Sequence, residues 1–346
     1  MEFGDLLSQG PLSGTRPPRW IPLCSNRLKT LAFLRLLVAT PPRWMLFGPG
    51  GVHGRLNDAM TLESHTLHDT LGARIDGLGL GQPIDNALFV EILAQFRRHA
   101  LLLFPAQDLT DEQQIVFSER FGPLEITKTG SDGAGTRQVR LTNIGPDGAL
   151  LPSDHRQNLI GRANRLWHAD SSFKPVPAGP SILSAREVPA HGGNTEFINM
   201  RAVYAALPAG LKAKVEDRVA VHDFAHSRAQ VNTGLMTDAE RAEVPPVRQA
   251  LVLNHGPELG RSLYIGSHVS HIEGLCAADS DRLIDSLMGF ATQAQFIYSH
   301  RWQRHDLVMW DNRCVIHRGT PYGDDRERRC LVRTTVAGTA PTLLER

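Results

Sequence analysis

Residues 163–173 read Ala-Asn-Arg-Leu-Trp-His-Ala-Asp-Ser-Ser-Phe. His168 and Asp170 stand two apart, and on a strand of period two their side chains share a face. A neutral imidazole and a carboxylate so placed can hold one metal ion together. Donors of this hardness suit Fe(II), Mn(II) or Zn(II). Alone, the pair carries little weight, because a chain with 15 histidines contains such pairs by chance. Two polar residues on a strand edge would be the simpler reading.

A second stretch changes that balance. Residues 306–317 read Asp-Leu-Val-Met-Trp-Asp-Asn-Arg-Cys-Val-Ile-His. The run Leu307-Val308-Met309-Trp310 predicts a buried strand, Asp311-Asn312-Arg313 a turn, and Cys314 to His317 a second short strand ending on a histidine. Two histidines and one aspartate make three protein ligands, which leaves positions open on an octahedral iron. A structural zinc site would call for four protein ligands, commonly cysteines.

These stretches resemble the Fe(II)/2-oxoglutarate-dependent dioxygenases of the taurine / 2,4-dichlorophenoxyacetate dioxygenase family. The resemblance is carried by Trp167 through Phe173, Gly192-Gly193-Asn194-Thr195-Glu196-Phe197, Asp306 through Arg318, and Arg328-Arg329-Cys330-Leu331-Val332-Arg333. They follow the family's order and spacing from about residue 60 to the C-terminus. Softer matches, such as Ile265 through Gly274, are similar to the 2,4-dichlorophenoxyacetate branch.

The resemblance implies a mainly β fold with flanking helices, the double-stranded β-helix or jelly roll. It implies that His168, Asp170 and His317 bind Fe(2+), and that 2-oxoglutarate and O2 are cosubstrates. Arg329 matches the position that holds the distal carboxylate of 2-oxoglutarate, and Thr195 the hydroxyl that shares it. A planar guanidinium fork suits a carboxylate. Arg333, four residues on, matches the position that pairs with an anionic substrate. Asn164 and His255 match substrate-pocket positions, although Leu253 stands where the family usually has Arg. In Arg304-His305-Asp306, relatives usually have Gly before the Asp. The implied reaction hydroxylates the carbon next to the acid group and yields succinate and CO2. An aryloxyacetate would then give a phenol and glyoxylate, in aromatic compound degradation. A taurine or alkylsulfonate dioxygenase releasing sulfite is the alternative within the family, and a jelly-roll binding module the alternative outside it. His268, His271 and Glu273 are expected to shape a loop rather than hold a second metal.

The 346 residues carry a net charge of +1, which gives no argument for nucleic acid as a partner. A small anionic molecule is the expected partner, with self-association into a homo-oligomer left open. Cys24, Cys276, Cys314 and Cys330 form no C-x-x-C pair, which suits a reducing, cytoplasmic setting. Residues 1–59 are basic and rich in Pro and Gly, and their apolar stretch Leu31 to Ala39 is too short to span a bilayer. They are expected to be a poorly ordered extension ahead of one dioxygenase domain, 60–346, with an upstream start as their origin rather than a targeting peptide.

Helices are predicted over Asp85 to His99, Thr110 to Phe121 behind a capping box, Met200 to Ala206, Pro208 to Asp217 and Asp279 to Gln293. Strands are predicted over Ala100 to Phe104, Ser181 to Glu187, Thr195 to Ile198, Val247 to Val252, Arg261 to Ile265 and Cys330 to Ala337. Residues 128–165 show little periodicity and read as a lid over the site. Ala229 to Pro246 reads as a second loop-rich excursion.

Overall fold

The run Leu101-Leu102-Leu103-Phe104 has no polar side, and the structure shows why. In the computed structural model, which describes residues 62–127 and 132–346, this run is a strand between two hydrophobic cores. Leu102 and Phe104 enter one core, and Leu101 and Leu103 the other. Its antiparallel neighbour Leu307–Asp311 does the same, with Leu307 and Met309 on one side and Val308 and Trp310 on the other. Period-two alternation is present, but both faces are apolar.

These two strands lie at the centre of a seven-stranded sheet. Its order is Ser64–His68, Leu71–Ile75, Leu101–Phe104, Leu307–Asp311, Pro180–Glu187, Cys330–Thr335, Val139–Thr142. All neighbours are antiparallel except Leu71–Ile75 with Leu101–Phe104. A three-stranded sheet, Ile297–His300, Thr195–Asn199 and Val315–Gly319, supplies the opposing layer. Phe197 and Val315 from it join Leu183, Leu331 and Trp310 in the shared core. Fully burying a side chain of this size stabilises by about 1.5–3 kcal/mol. The fold is the expected jelly roll.

Helices cover the outside. Asn86–His99 is capped by Asp85, whose side chain accepts from Leu88 N, and it ends at Ala100 in a left-handed conformation (φ 60°). Asp111–Glu119 carries the expected capping box between Thr110 and Gln113. Phe96 and Phe117 from these helices pack with Phe104 on the outer face of the large sheet. On the other side, Ala277–Ala291 buries Leu283 and Leu287.

Three expectations change. Residues 132–165 are not irregular throughout: Val139–Thr142 pairs with Cys330–Thr335 as an edge strand, and Arg156–Ala163 is a helix. The edge strand is set by its neighbour rather than by local propensity. The excursion 229–246 contains the helix Asp238–Glu243, with a capping box from Thr237 to Glu240. The predicted strand Val247 to Val252 is two strands, Val247–Ala250 and Val252–Asn254, that join different sheets. The 1–59 extension lies outside the described residues.

Val219–His222 places His222 in the interior, 1% exposed, with its Nδ1 3.0 Å from Ser172 Oγ and its ring stacked on Tyr264. Burial pushes its pKa from 6.5 down to about 3. The unfolded chain takes up this proton below pH 6.5, while the folded chain does so only near 3. The stability it contributes is therefore full above 6.5 and is lost as pH falls between those values. In that window His222 should add up to about 1.4 kcal/mol per pH unit to the slope of unfolding free energy. Urea unfolding from pH 7 to 4 should show a shallower slope in His222→Gln; equal slopes would contradict the assignment.

Candidate active site

His168 does not lie on a regular strand. It makes a single bridge to His317, with His168 N to His317 O at 3.0 Å and His317 N to His168 O at 2.8 Å. This is a correction to the strand expected there, but the bridge does the strand's work. It ties the two ligand segments together by their backbones. After Asp170 the chain turns sharply at Ser171 (φ 53°), whose Oγ donates to Glu125.

The possible ligand atoms of His168, Asp170 and His317 lie within 4.8 Å of one another, and all three residues are buried. His168 Nε2 is 3.8 Å from Asp170 Oδ1, and His317 Nε2 is 3.9 Å from Asp170 Oδ2. His168 Nδ1 is 2.7 Å from the Leu166 carbonyl, which can only accept. Nδ1 is therefore the protonated nitrogen, and Nε2 presents a lone pair. Burial lowers the pKa of both histidines and keeps them neutral. Burial alone would raise the Asp170 pKa, but opposing effects, the Arg333 guanidinium foremost and the Ser181 hydroxyl among them, outweigh it and bring it to about 2. Two neutral imidazoles and one ionised carboxylate fit a divalent iron.

Asp170 is held from behind. Ser181 Oγ donates to its Oδ2 at 2.7 Å, and Asn312 Oδ1 accepts from its backbone N at 3.0 Å. Asn312 also accepts from Trp310 Nε1 and donates to the Gly179 carbonyl and Ser181 Oγ. Neither Ser181 nor Asn312 was singled out from sequence, where one is a strand residue and the other a turn residue.

A cavity of about 790 Å³ opens beside the cluster, and His168, His317, Thr195, Arg329, Arg333 and Asn164 all line it. Thr195 Oγ1 accepts from Trp302 Nε1 at 2.9 Å, which leaves its own proton free to donate. Gly192 and Gly193 both have positive φ (71° and 66°), and a Cβ on Gly192 would meet the Pro321 carbonyl at 2.5 Å. Only glycine fits this turn, which presents the Gly193 carbonyl to Arg329 Nε and Nη2 at 3.3 Å each. That carbonyl and the face of Tyr322, 5.7 Å away, flank the half-buried guanidinium. No carboxylate pairs with Arg329 among the described residues. The cavity thus offers a cation and a hydroxyl donor for an incoming carboxylate.

Arg333 Nη1 pairs with Asp170 Oδ1. His255 is not brought to the site. It sits by the hairpin of Val252–Asn254 and Arg261–Leu263, with Nε2 2.8 Å from Ser262 Oγ, and lines neither this cavity nor the smaller one beside it. Its environment is structural, a correction to the pocket role expected of it. His268 bonds Ser227 through Nδ1, while Glu273 is held by Arg248.

Fold and donor set together define a non-haem, metal-dependent enzyme. The chain belongs to the taurine catabolism dioxygenase TauD, TfdA family, whose model matches residues 63–335. It is 38% identical over 286 residues to the alpha-ketoglutarate-dependent 2,4-dichlorophenoxyacetate dioxygenase of Cupriavidus pinatubonensis, covering 81% of this chain and 99% of that one. It is 40% identical over 283 residues to the (S)-phenoxypropionate/alpha-ketoglutarate-dioxygenase of Sphingobium herbicidovorans, covering 79% and 93%. The crystal structure of AAD-2 in complex with Mn(II) and N-oxalylglycine superposes with a TM-score of 0.76 at 40% identity, covering 81% and 99%. No helix among the described residues is long and apolar enough to cross a membrane.

Proposed function

We propose that this chain is an Fe(II)- and 2-oxoglutarate-dependent dioxygenase that hydroxylates a small organic acid of aryloxyacetate type. The observation that carries this is a single cavity bordered by the two histidines of a buried His-Asp-His cluster and by a half-buried arginine with no protein carboxylate paired to it among the described residues. His168, Asp170 and His317 would hold the iron. Arg329 and Thr195 would take the distal carboxylate of 2-oxoglutarate, and Arg333 with Asn164 would face the acid substrate. When bound, iron, 2-oxoglutarate and O2 supply the coupled oxidation that gives succinate, CO2 and a hydroxylated substrate. The chain's own part is to orient both acids through fixed cations and to exclude water. Hydroxylation next to the acid group of an aryloxyacetate gives a hemiacetal, which collapses to a phenol and glyoxylate.

The test is succinate release with phenoxyacetate, a chiral 2-aryloxypropionate and taurine. Stimulation by phenoxyacetate with phenol formed is the expected result. Stimulation by taurine alone, with sulfite, would overturn the substrate class. A chain that gave no charge-transfer band with Fe(II) and 2-oxoglutarate under argon would be a binding module instead.

Ser181→Ala removes one hydrogen bond to Asp170 without touching a ligand atom. It should weaken Mn(II) binding by about 10–100-fold. Calorimetry would check this, and unchanged affinity would show that the Ser181 hydrogen bond does not set the orientation of the carboxylate. We also propose that residues 60–346 are the whole catalytic domain. A chain starting at Met60 should then fold and turn over like the full chain; loss of either would refute that boundary. Free thiols at Cys276, Cys314 and Cys330 suit a reducing, cytoplasmic compartment.

A further inference from the structure

Beside the main cavity lies a smaller one of about 120 Å³, bordered by His168, Asp170, Asn164 and Arg333. Its wall also carries Arg137, which pairs with Glu119, and Arg228, from the helix Phe224–Ala229. The Arg228 guanidinium lies 4.4 Å from the centre of the Phe224 ring. Phe224 is tilted against Phe173 at 4.3 Å, and Phe173 meets His268 at 5.1 Å. An aromatic bed therefore supports the cation from one side.

The charges on this wall do not balance. Glu125 is already engaged by Lys174 at 2.7 Å and by the Ser171 hydroxyl. The carboxylate that acts on Arg228 is Asp170, which Arg333 holds, and Arg333 itself repels Arg228. With Asp170 assigned to iron, two guanidinium groups face the cavity with no other protein carboxylate paired to either among the described residues. Like charges gathered at a partly dry wall are costly unless an anion joins them. An anion with two or three oxygens can accept from both forks.

We propose that Arg228 and Arg333 together dock the acid group of the prime substrate, that the Phe173–Phe224 face takes its apolar part, and that Arg228 determines specificity for that acid. This rests on the oxygenase reading above. Because His168 and Asp170 border the same cavity, an acid held there brings its neighbouring carbon next to the metal ligands. Arg228 does not line the main cavity, so the site for 2-oxoglutarate is separate from it.

The test is anaerobic calorimetry on the full chain loaded with Mn(II) and 2-oxoglutarate. Phenoxyacetate, 2-phenoxypropionate, an alkyl sulfate, taurine and neutral phenoxyacetamide would be titrated. Arg228→Met keeps the apolar stem and removes the charge. It should weaken the acid that the wild type binds by about 30-fold or more, since a desolvated charge pair is lost. Binding of Mn(II), 2-oxoglutarate and phenoxyacetamide should be unchanged. Arg228→Lys should recover part of the loss, because it restores the charge without the fork. If Arg228→Met binds that acid as the wild type does, or weakens the neutral amide equally, the docking proposal fails while the oxygenase reading stands. If the wild type binds none of the acids, both fail.

Discussion

Asp170→Ala should abolish succinate formation and metal binding and should also destabilise the fold. The carboxylate is 5% exposed and pairs with Arg333. Removing one partner of a buried ion pair leaves an uncompensated charge and typically costs about 3–5 kcal/mol. Calorimetric Mn(II) titration and urea unfolding of the metal-free chain would check the two effects separately. The double variant Asp170→Ala/Arg333→Met should regain most of the stability and none of the activity. If the double variant is no more stable than the single one, stranded charge is not the cause. Activity in Asp170→Ala within about tenfold of wild type would rule out the ligand assignment, since even groups that merely orient a ligand account for about 10–100-fold.

Arg329→Met should act in the opposite sense on stability. No carboxylate among the described residues pairs with this guanidinium, and its hydrogen bonds are two weak ones to the Gly193 carbonyl. Replacing a half-buried cation that lacks a carboxylate partner by an apolar side chain of similar length relieves a desolvation cost and should be neutral or stabilising. Binding of 2-oxoglutarate should fall steeply, because a desolvated charge pair with its distal carboxylate is worth about 2–5 kcal/mol. That is about 30-fold at the least. Arg329→Lys should fall between the two, with the charge kept and the fork lost. The readout is the dissociation constant for 2-oxoglutarate on the Mn(II) form, beside urea unfolding. A variant that binds 2-oxoglutarate normally would move the carboxylate site elsewhere in the cavity.

What was legible in the sequence was the part that repeats a local rule. Thr110 with Gln113 announces a helix start, and the structure has it. The apolar run before Asp311 announces a strand buried on both faces. The family resemblance carried by Gly192-Gly193 before Thr195, and by Arg329 before Arg333, pointed to Thr195, Arg329 and Arg333, and all three line one cavity. What stayed hidden depends on the meeting of distant segments. Val139–Thr142 is a strand because Cys330–Thr335 lies beside it. Asn312 reads as a turn residue and proves to hold Asp170. Arg228 had no motif around it. His255 shows the converse, a residue in a familiar position whose hydrogen bond to Ser262 turns it to structural use.

The backbone bridge between His168 and His317 has one more consequence, which concerns time as well as affinity. The chain between these residues is a very long loop, and closing it carries an entropic cost that rises with the logarithm of its length. Here the closure is made by two peptide hydrogen bonds and the surrounding core, so it is complete once the protein has folded. Capturing the ion then needs no chain ordering beyond the side chains themselves. A small zinc-dependent domain is the reverse case, in which binding and folding are one event. This scaffold should survive chelation with its ligands still gathered, and it should reload metal as fast as the ion reaches the cavity, without a refolding step.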